Sequence, residues 1–163
     1  MAEGIAHLEQ ALRIRPFSPS VEQNLGSALD QAGRPDLAIA HLARAVRLDP
    51  GYAEAELSWA IALVNTDRFS EAVPHFKRAI ALKPGSIEPR GSYADALRIA
   101  GRLDEAVAQY SAVLRLNPNH AGAHLNLARV LRLLGRTQEA ERHYREALRI
   151  NPNLAPGAQG PER

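Results

Sequence analysis

Histidines are the residues of this sequence best suited to acid–base or metal chemistry, because imidazole titrates near neutral pH and binds metal ions. Four of the six recur at intervals of 34 residues or twice that: His7, His41, His75 and His143. Equivalent residues of stacked helices lie about 10 Å apart, whereas a zinc ligand lies about 2 Å from its metal. The series therefore predicts a repeated structural position. His120 and His124 lie one helical turn apart, but no third ligand accompanies them, so we predict no metal site.

Other catalytic groups form no recognisable arrangement either. The chain contains no cysteine, which excludes thiolate catalysis and thiolate metal ligation. It has no G-x-S-x-G nucleophile motif and no glycine-rich phosphate loop. We therefore predict a protein that is not an enzyme and that has no catalytic residues and no cofactor.

The composition indicates a folded chain without a membrane segment. Hydrophobic residues make up 45% of the 163 residues and charged residues 23%, as in ordinary globular proteins. No apolar run approaches the roughly 18 residues of a spanning helix. The net charge of +2 gives little support for a nucleic-acid or membrane partner. No secretory signal is recognisable, so we expect a cytoplasmic location.

The elements that carry these residues repeat with a period of 34. Prolines mark the period, each closing a similar phrase such as Val46-Arg47-Leu48-Asp49-Pro50: they are Pro16, Pro50, Pro84, Pro118 and Pro152. With the proline at position 32 of the unit, the chain divides into a half repeat, four full repeats and a tail. These segments are 1–18, then 19–52, 53–86, 87–120 and 121–154, and 155–163, which we expect to be disordered.

Each unit has the pattern of two packed helices. Apolar residues recur three and four apart, the period of an α-helix. Small residues occupy positions 20 and 27, where they let two helices approach closely, and large residues occupy positions 7 and 24. A break near position 15 predicts a turn, occupied in the successive repeats by Gly33, Asp67, Gly101 and Gly135.

This pattern resembles the tetratricopeptide repeat (TPR). The resemblance rests on Leu25-Gly26, Ala38, Leu42, Ala45 and Pro50 and on their counterparts in the next three repeats. It implies an all-α fold, a right-handed α-solenoid of helix–turn–helix hairpins whose first helices line a concave groove. Position 4 departs from the family, because its common tryptophan is replaced by Glu22, Glu56, Arg90 and His124.

The resemblance also implies that positions 2, 5, 6, 9, 12 and 13 of each first helix face the groove. The groove is then polar in the first repeat, apolar around Leu57 and Ile61, and rich in arginine in the last two repeats. We expect a ligand with apolar and acidic residues. The candidate binding residues are Asn24, Ser27, Leu57, Ile61, Val64, Asn65, Asp95, Arg98, Asn126, Arg129 and Arg132.

Two known kinds of TPR groove can be compared with these residues. The carboxylate clamp of chaperone-binding domains is absent, since its lysine, asparagine and arginine positions hold Gln23, Ser27, Ser58, Glu88 and Ser92. Asn24 and Asn126 occupy position 6, as in the asparagine ladder of O-GlcNAc transferase superhelices. The sequence is similar to that superhelical type in this respect, which supports a peptide groove.

The favoured function is therefore a non-catalytic protein–protein interaction scaffold that binds a peptide or protein segment in its groove. No polar capping helix is evident after the last repeat, so we expect an exposed apolar edge at Leu127, Val130, Leu131, Leu134 and Tyr144. Either the chain is a piece of a longer protein, which we favour, or that edge packs against another chain. Two alternatives stay open: an oligomer that self-associates through its ends, and the substrate-recruiting arm of a larger transferase-type enzyme.

Overall fold

The computed structural model describes residues 2–155. That part of the chain is all-α, with nine α-helices, one short 3-10 helix and no strand, as the sequence predicts. Residues 156–163, most of the predicted disordered tail, lie outside the described residues. The helices are α1 (Ala2–Ile14), α2 (Pro19–Gln31), α3 (Pro35–Leu48), α4 (Ala53–Val64), α5 (Phe69–Leu82), α6 (Glu88–Ile99), α7 (Leu103–Leu116), α8 (Ala121–Leu133) and α9 (Thr137–Ile150), followed by the 3-10 helix Pro152–Leu154.

The chain divides into two compact units, residues 1–84 and residues 85–163. Unit 1 contains α1 and the hairpins α2–α3 and α4–α5, and α3 also packs on α4. Unit 2 contains the hairpins α6–α7 and α8–α9, and α7 also packs on α8. Helices therefore pack on their neighbours in sequence within each unit, the pattern expected of a repeat that buries its apolar face against adjacent helices.

The turns inside the hairpins need a left-handed backbone. Gly33, Gly101 and Gly135 have φ values of 72°, 72° and 73°, a conformation that glycine adopts without a Cβ penalty. Asp67 takes the same place in the second hairpin with φ 58°. The sequence prediction of a turn at position 15 is confirmed in all four hairpins.

Close helix contact explains the small residues at positions 20 and 27. Ala38 and Ala45 of α3 are fully buried, as are their counterparts Ala72 and Ala79 of α5. The tightest approach is at Gly26 of α2, where an added Cβ would lie 2.5 Å from Cγ of Leu42. Any larger residue there would force the Leu42 side chain or the helix that carries it to shift.

The predicted apolar edge of the last hairpin is wrong for three of its five residues. Leu127, Val130 and Leu131 are buried within unit 2, where α8 packs on both α7 and α9. Leu134 and Tyr144 are half-buried. The surface of α9 carries three Arg–Glu pairs, which the sequence analysis did not identify: Arg136–Glu139, Arg145–Glu141 and Arg149–Glu146.

Candidate functional site

In unit 1 the first helices α2 and α4 are bridged by polar side chains that bond one another. Nε2 of Gln23 donates to Oγ of Ser27 at 3.0 Å and to Oγ of Ser58 at 3.1 Å. The two serine hydroxyls lie 3.2 Å apart, and the hydroxyl of Tyr52 reaches Oε1 of Gln23 at 3.4 Å. These groups use hydrogen-bonding capacity on each other and so link α2 to α4.

The expected apolar anchor in unit 1 is mostly buried. Leu57 is only 6% exposed, so its predicted exposure on the groove is wrong, because α4 packs that side chain into the protein. Ile61 is 36% exposed and Val64 is half-buried. Of the remaining candidates, Asn65 donates from Nδ2 to Oδ2 of Asp30 at 2.9 Å, whereas Asn24 is exposed.

In unit 2 the corresponding space is an open cavity of about 350 Å³ between α6 and α8. Its floor includes Tyr110 and Val113 of α7, and Ile87 and His120 lie at its margins. The first helices supply its walls: Glu88, Gly91, Ser92, Asp95, Gly122, Ala123 and Asn126.

Two glycines line this cavity at positions where unit 1 has larger residues. Gly91 occupies position 5, where unit 1 has the bridging Gln23, and Gly122 occupies position 2, where unit 1 has Glu54. A Cβ added at Gly91 would meet no atom within 4 Å. Two of the residues that line the α6–α8 cavity therefore have no side chain. The sequence placed Asp95 and Asn126 in the groove but did not predict this opening.

A hydrogen-bonded network lines the cavity around Asp95. Oδ1 of Asp95 accepts from the hydroxyl of Tyr110 at 2.5 Å and from Nδ2 of Asn126 at 3.2 Å. A guanidinium nitrogen of Arg129 donates to Oδ1 of Asn126 at 3.3 Å. Burial, followed by the hydrogen bond to Asp95, raises the pKa of Tyr110, while Arg98 opposes the shift. Tyr110 therefore remains a neutral hydroxyl donor. The network holds Asn126 in place at the cavity wall, and Arg129, which is not one of the lining residues, bonds to Asn126.

The structure thus brings Asp95, Asn126 and Arg129 together and places Arg132 one turn beyond Arg129. Arg129 and Arg132 are exposed. They line a second cavity of about 280 Å³. Its other lining residues are Leu125, Ala128 and Tyr144 of the last hairpin and Leu154 of the 3-10 helix. The two exposed arginines give this part of unit 2 a positive edge.

A set of buried polar pairs was missed by the sequence reasoning. Glu22 is fully buried, and its carboxylate accepts from Nδ1 of His41 at 2.7 Å and lies 2.9 Å from Nε of Arg44. In the next hairpin Nδ1 of His75 donates to Glu56 at 2.7 Å. The histidine series was predicted to be structural. In the first two hairpins its members, His41 and His75 at position 23, contact the glutamate at position 4 of the same hairpin.

The pair in the last hairpin consists of two histidines. Nδ1 of His124 lies 2.9 Å from Nδ1 of His143, and Nε2 of His124 lies 2.9 Å from the carbonyl of Pro118. Since a carbonyl only accepts, Nε2 of His124 carries the proton, so Nδ1 of His124 accepts from Nδ1 of His143 in the neutral pair. Burial and then the neighbouring His124 lower the pKa of His143. His120 is engaged elsewhere, accepting from the backbone N–H of Ala123 at 3.0 Å as a helix cap.

Comparing the repeats with each other could have revealed these pairs. Positions 4, 23 and 26 are Glu, His and Arg in the first two repeats, Arg, Gln and Ala in the third, and His, His and Glu in the fourth. The glutamate at position 4 and the histidine at position 23 therefore occur together only in the two repeats whose hairpins contain the Glu–His pair. Within residues 2–155 there is no group of three or more His, Asp or Glu residues placed to hold a metal ion.

None of the described helices is long and apolar enough to cross a membrane.

A family model for the tetratricopeptide repeat matches residues 24–87 and 90–155. The chain belongs to the tetratricopeptide repeat family. This confirms the resemblance drawn from the repeated residues.

Solved structures of other TPR proteins have the same fold. A crystal structure of MamA has a TM-score of 0.83 and 23% sequence identity, over 91% of this chain and 87% of that one. A further MamA structure, MamA MSR-1 C2, has a TM-score of 0.77 and 25% identity over 94% and 88%. YrrB, described as a TPR protein with an unusual peptide-binding site, has a TM-score of 0.76 and 23% identity over 92% and 77%. No curated protein sequence matches this TPR chain significantly.

Proposed function

We propose that this TPR protein is a non-catalytic interaction module that binds a peptide or protein segment in the cavity between α6 and α8. The observation that carries the proposal is the cavity lined by Gly91 and Gly122 in unit 2, whereas in unit 1 Gln23 and Ser58 bond each other between α2 and α4. An open pocket with a few convergent polar groups is the usual form of a binding site. The peptide-binding site named for YrrB supports the same use of the fold.

The walls of the cavity define the chemistry of the ligand. Asn126 and Ser92 offer amide and hydroxyl groups that pair with a peptide backbone, and Tyr110 and Val113 provide an apolar floor. Arg129, held against Asn126, is positioned to bind a carboxylate of the ligand, because guanidinium–carboxylate bonds are among the stronger protein hydrogen bonds. We therefore propose a segment with at least one acidic residue beside a small or apolar side chain that enters the cavity.

The self-associating alternative receives less support. Three of the five residues expected at its contact edge are buried, so an assembly through that edge would have to use Leu134 and Tyr144. The ligand-binding proposal depends on none of these residues.

Selection of a random peptide library on the wild-type chain and on Gly91→Leu tests the proposal. A leucine at position 91 fills the cavity without a clash at its Cβ. Because it replaces a helical glycine, it should raise helix stability rather than lower it. We expect peptides with a shared sequence pattern that bind wild type and lose binding to Gly91→Leu.

Gly4→Leu provides the matched control, because Gly4 also lies in a helix and has no atom within 4 Å of an added Cβ. The selected peptides should bind Gly4→Leu as they bind wild type. Peptides that bind all three proteins equally would show that the α6–α8 cavity is not the binding site.

A further inference from the structure

One carboxylate of the α6–α8 cavity has no partner. Four of the residues that line this cavity titrate: Glu88, Asp95, Tyr110 and His120. Asp95 and Tyr110 bond each other, and Nδ1 of His120 accepts from the N–H of Ala123 in the cap of α8. Glu88 is exposed and makes no hydrogen bond or ion pair with any residue from 2 to 155. Of the four, only Glu88 therefore lacks a partner within the described residues.

The preceding repeat satisfies the equivalent carboxylate internally. Glu54 holds position 2 of the second repeat, as Glu88 holds position 2 of the third. Nζ of Lys83, at position 31, bonds to the carboxylate of Glu54. Position 31 of the third repeat is Asn117, whose Oδ1 accepts from the backbone N–H of Asn119. The third repeat thus keeps the carboxylate and lacks the lysine that pairs with it.

The exposed charges at the two ends of the cavity have opposite signs. Glu88 and Asp95 lie seven residues apart on α6, which corresponds to about 10 Å along the helix axis. Arg129 lies at the Asp95 end, because it bonds to Asn126, which in turn bonds to Asp95. The carboxylate of Asp95 accepts from Tyr110 and Asn126, whereas the guanidinium of Arg129 is exposed and bonds only a neutral amide. A ligand in the cavity therefore meets a free carboxylate at one end and a free guanidinium at the other.

We propose that Glu88 determines the specificity of this cavity by binding a basic residue of the ligand, while Arg129 binds the acidic one. This inference rests on the proposed peptide-binding function and deepens it, because it adds a second charge and sets the distance between the two. An extended chain advances about 3.3 Å per residue, so the two charged residues lie about three positions apart. The ligand is therefore a segment in which a lysine or arginine and an aspartate or glutamate flank a small or apolar residue.

Selection of the random peptide library on wild type and on Glu88→Lys tests which charge the cavity prefers. Among peptides that lose binding to Gly91→Leu, wild type should enrich a basic residue roughly two to four positions from an acidic one. Glu88→Lys should instead enrich an acidic residue in place of the basic one. Gly91→Leu-sensitive peptides without a preference for a basic residue would overturn this inference and leave the binding function standing. A selection that yields no Gly91→Leu-sensitive peptide would contradict the binding function itself, and this inference with it.

A double-mutant cycle measures the contact between Glu88 and the ligand. A selected peptide, and its version with glutamine in place of the basic residue, are titrated into wild type and into Glu88→Gln. The affinity of the original peptide should fall roughly threefold or more in Glu88→Gln, the range of an accessible ion pair. That of the glutamine version should change less than twofold, because it has no cation for the carboxylate. Equal losses for the two peptides would overturn the proposal, since Glu88 would then act through the fold and not through the ligand.

Two further variants separate this contact from effects on net charge and helix stability. Glu3→Gln removes the same charge from the first turn of another helix, α1, and should change both affinities less than twofold. Asn117→Lys introduces the lysine that the second repeat has at Lys83, so it should pair with Glu88 and weaken binding of the original peptide. The same substitution in the Glu88→Gln background should have no further effect. An equal loss in both backgrounds would contradict the role of Glu88.

Discussion

Nδ1 of His41 lies 2.7 Å from Oε2 of the fully buried Glu22, and the same contact joins His75 to Glu56 in the next hairpin. In both hairpins the pair links the first helix to the second across 19 residues of sequence. A buried carboxylate is tolerated only when it is paired and hydrogen-bonded. These pairs therefore fix how the two helices of a hairpin meet.

His41→Ala should lower the free energy of unfolding by about 2 kcal/mol, because it leaves the Glu22 carboxylate with Arg44 alone. Urea denaturation followed by circular dichroism measures the change. His7→Ala is the control, since His7 holds the same repeat position but is exposed on α1. It should stay within about 0.5 kcal/mol of wild type. Equal losses in the two variants would mean that the pair has no special role.

The His124–His143 pair should make unit 2 less stable in acid. The pKa of His143 is lowered in the folded protein, by burial first and by His124 second, with Glu139 opposing. Because the unfolded chain binds this proton more readily, stability is fully present above the unfolded pKa of about 6.5 and decreases as the pH falls below it.

His143→Gln should reduce this acid sensitivity, since Gln109 fills the same position in the third hairpin without a titrating group. Unfolding midpoints of wild type and His143→Gln, measured between pH 7.5 and pH 5, provide the comparison. We expect the wild type to lose more stability than the variant over this range. Parallel curves would contradict the account of the pair.

Asp67 is the one described non-glycine residue with a positive φ, at 58°. Asp67→Gly should raise the free energy of unfolding by about 0.5–1 kcal/mol, because glycine adopts this conformation without a steric penalty. Gly101→Asp reverses the change in the equivalent turn and should lower it by a similar amount. Thermal melting of both variants measures the two effects. A lower melting temperature for Asp67→Gly would show that the aspartate side chain stabilises the turn by more than its backbone strain destabilises it.

Gly26→Ala tests the closest approach between two helices. Its Cβ would lie 2.5 Å from Cγ of Leu42 and 3.2 Å from the carbonyl oxygen of Ala38. Overpacking of this kind typically costs about 1–3 kcal/mol, which exceeds the gain in helix propensity. Gly91→Ala, in a helix position with free space, should be neutral or stabilising. Chemical denaturation should therefore show a loss of stability for Gly26→Ala and no loss for Gly91→Ala.

Much of the fold follows from the sequence because the repeat is a local signal. The 34-residue period and the glycines at Gly33, Gly101 and Gly135 predict the hairpins and their turns, and both are confirmed. Periodicity fixes which face of a helix is apolar, but it does not fix how deeply each side chain is buried. That is why Leu57 and Leu131 were expected on the surface and are found in the interior.

The candidate site was less predictable, because it depends on contacts between helices and on missing atoms. The cavity is lined in part by Gly91 and Gly122, which lack side chains, and a list of groove-facing residues gives no sign of empty space. The sequence shows Glu22 and His41, but it does not show that their side chains are in contact. Comparison of equivalent positions between repeats gives a hint of it, since Glu at position 4 occurs with His at position 23 in the same two repeats.

Isothermal titration of a library-selected peptide into wild type, Gly91→Ala and Gly91→Leu tests the binding function most directly. The three proteins differ only in how much of the α6–α8 cavity is filled, and none of them removes a side chain. We predict that affinity decreases from wild type through Gly91→Ala to Gly91→Leu, while the melting temperature stays constant or rises. Equal affinity in all three proteins would contradict the assignment of this cavity as the peptide-binding site.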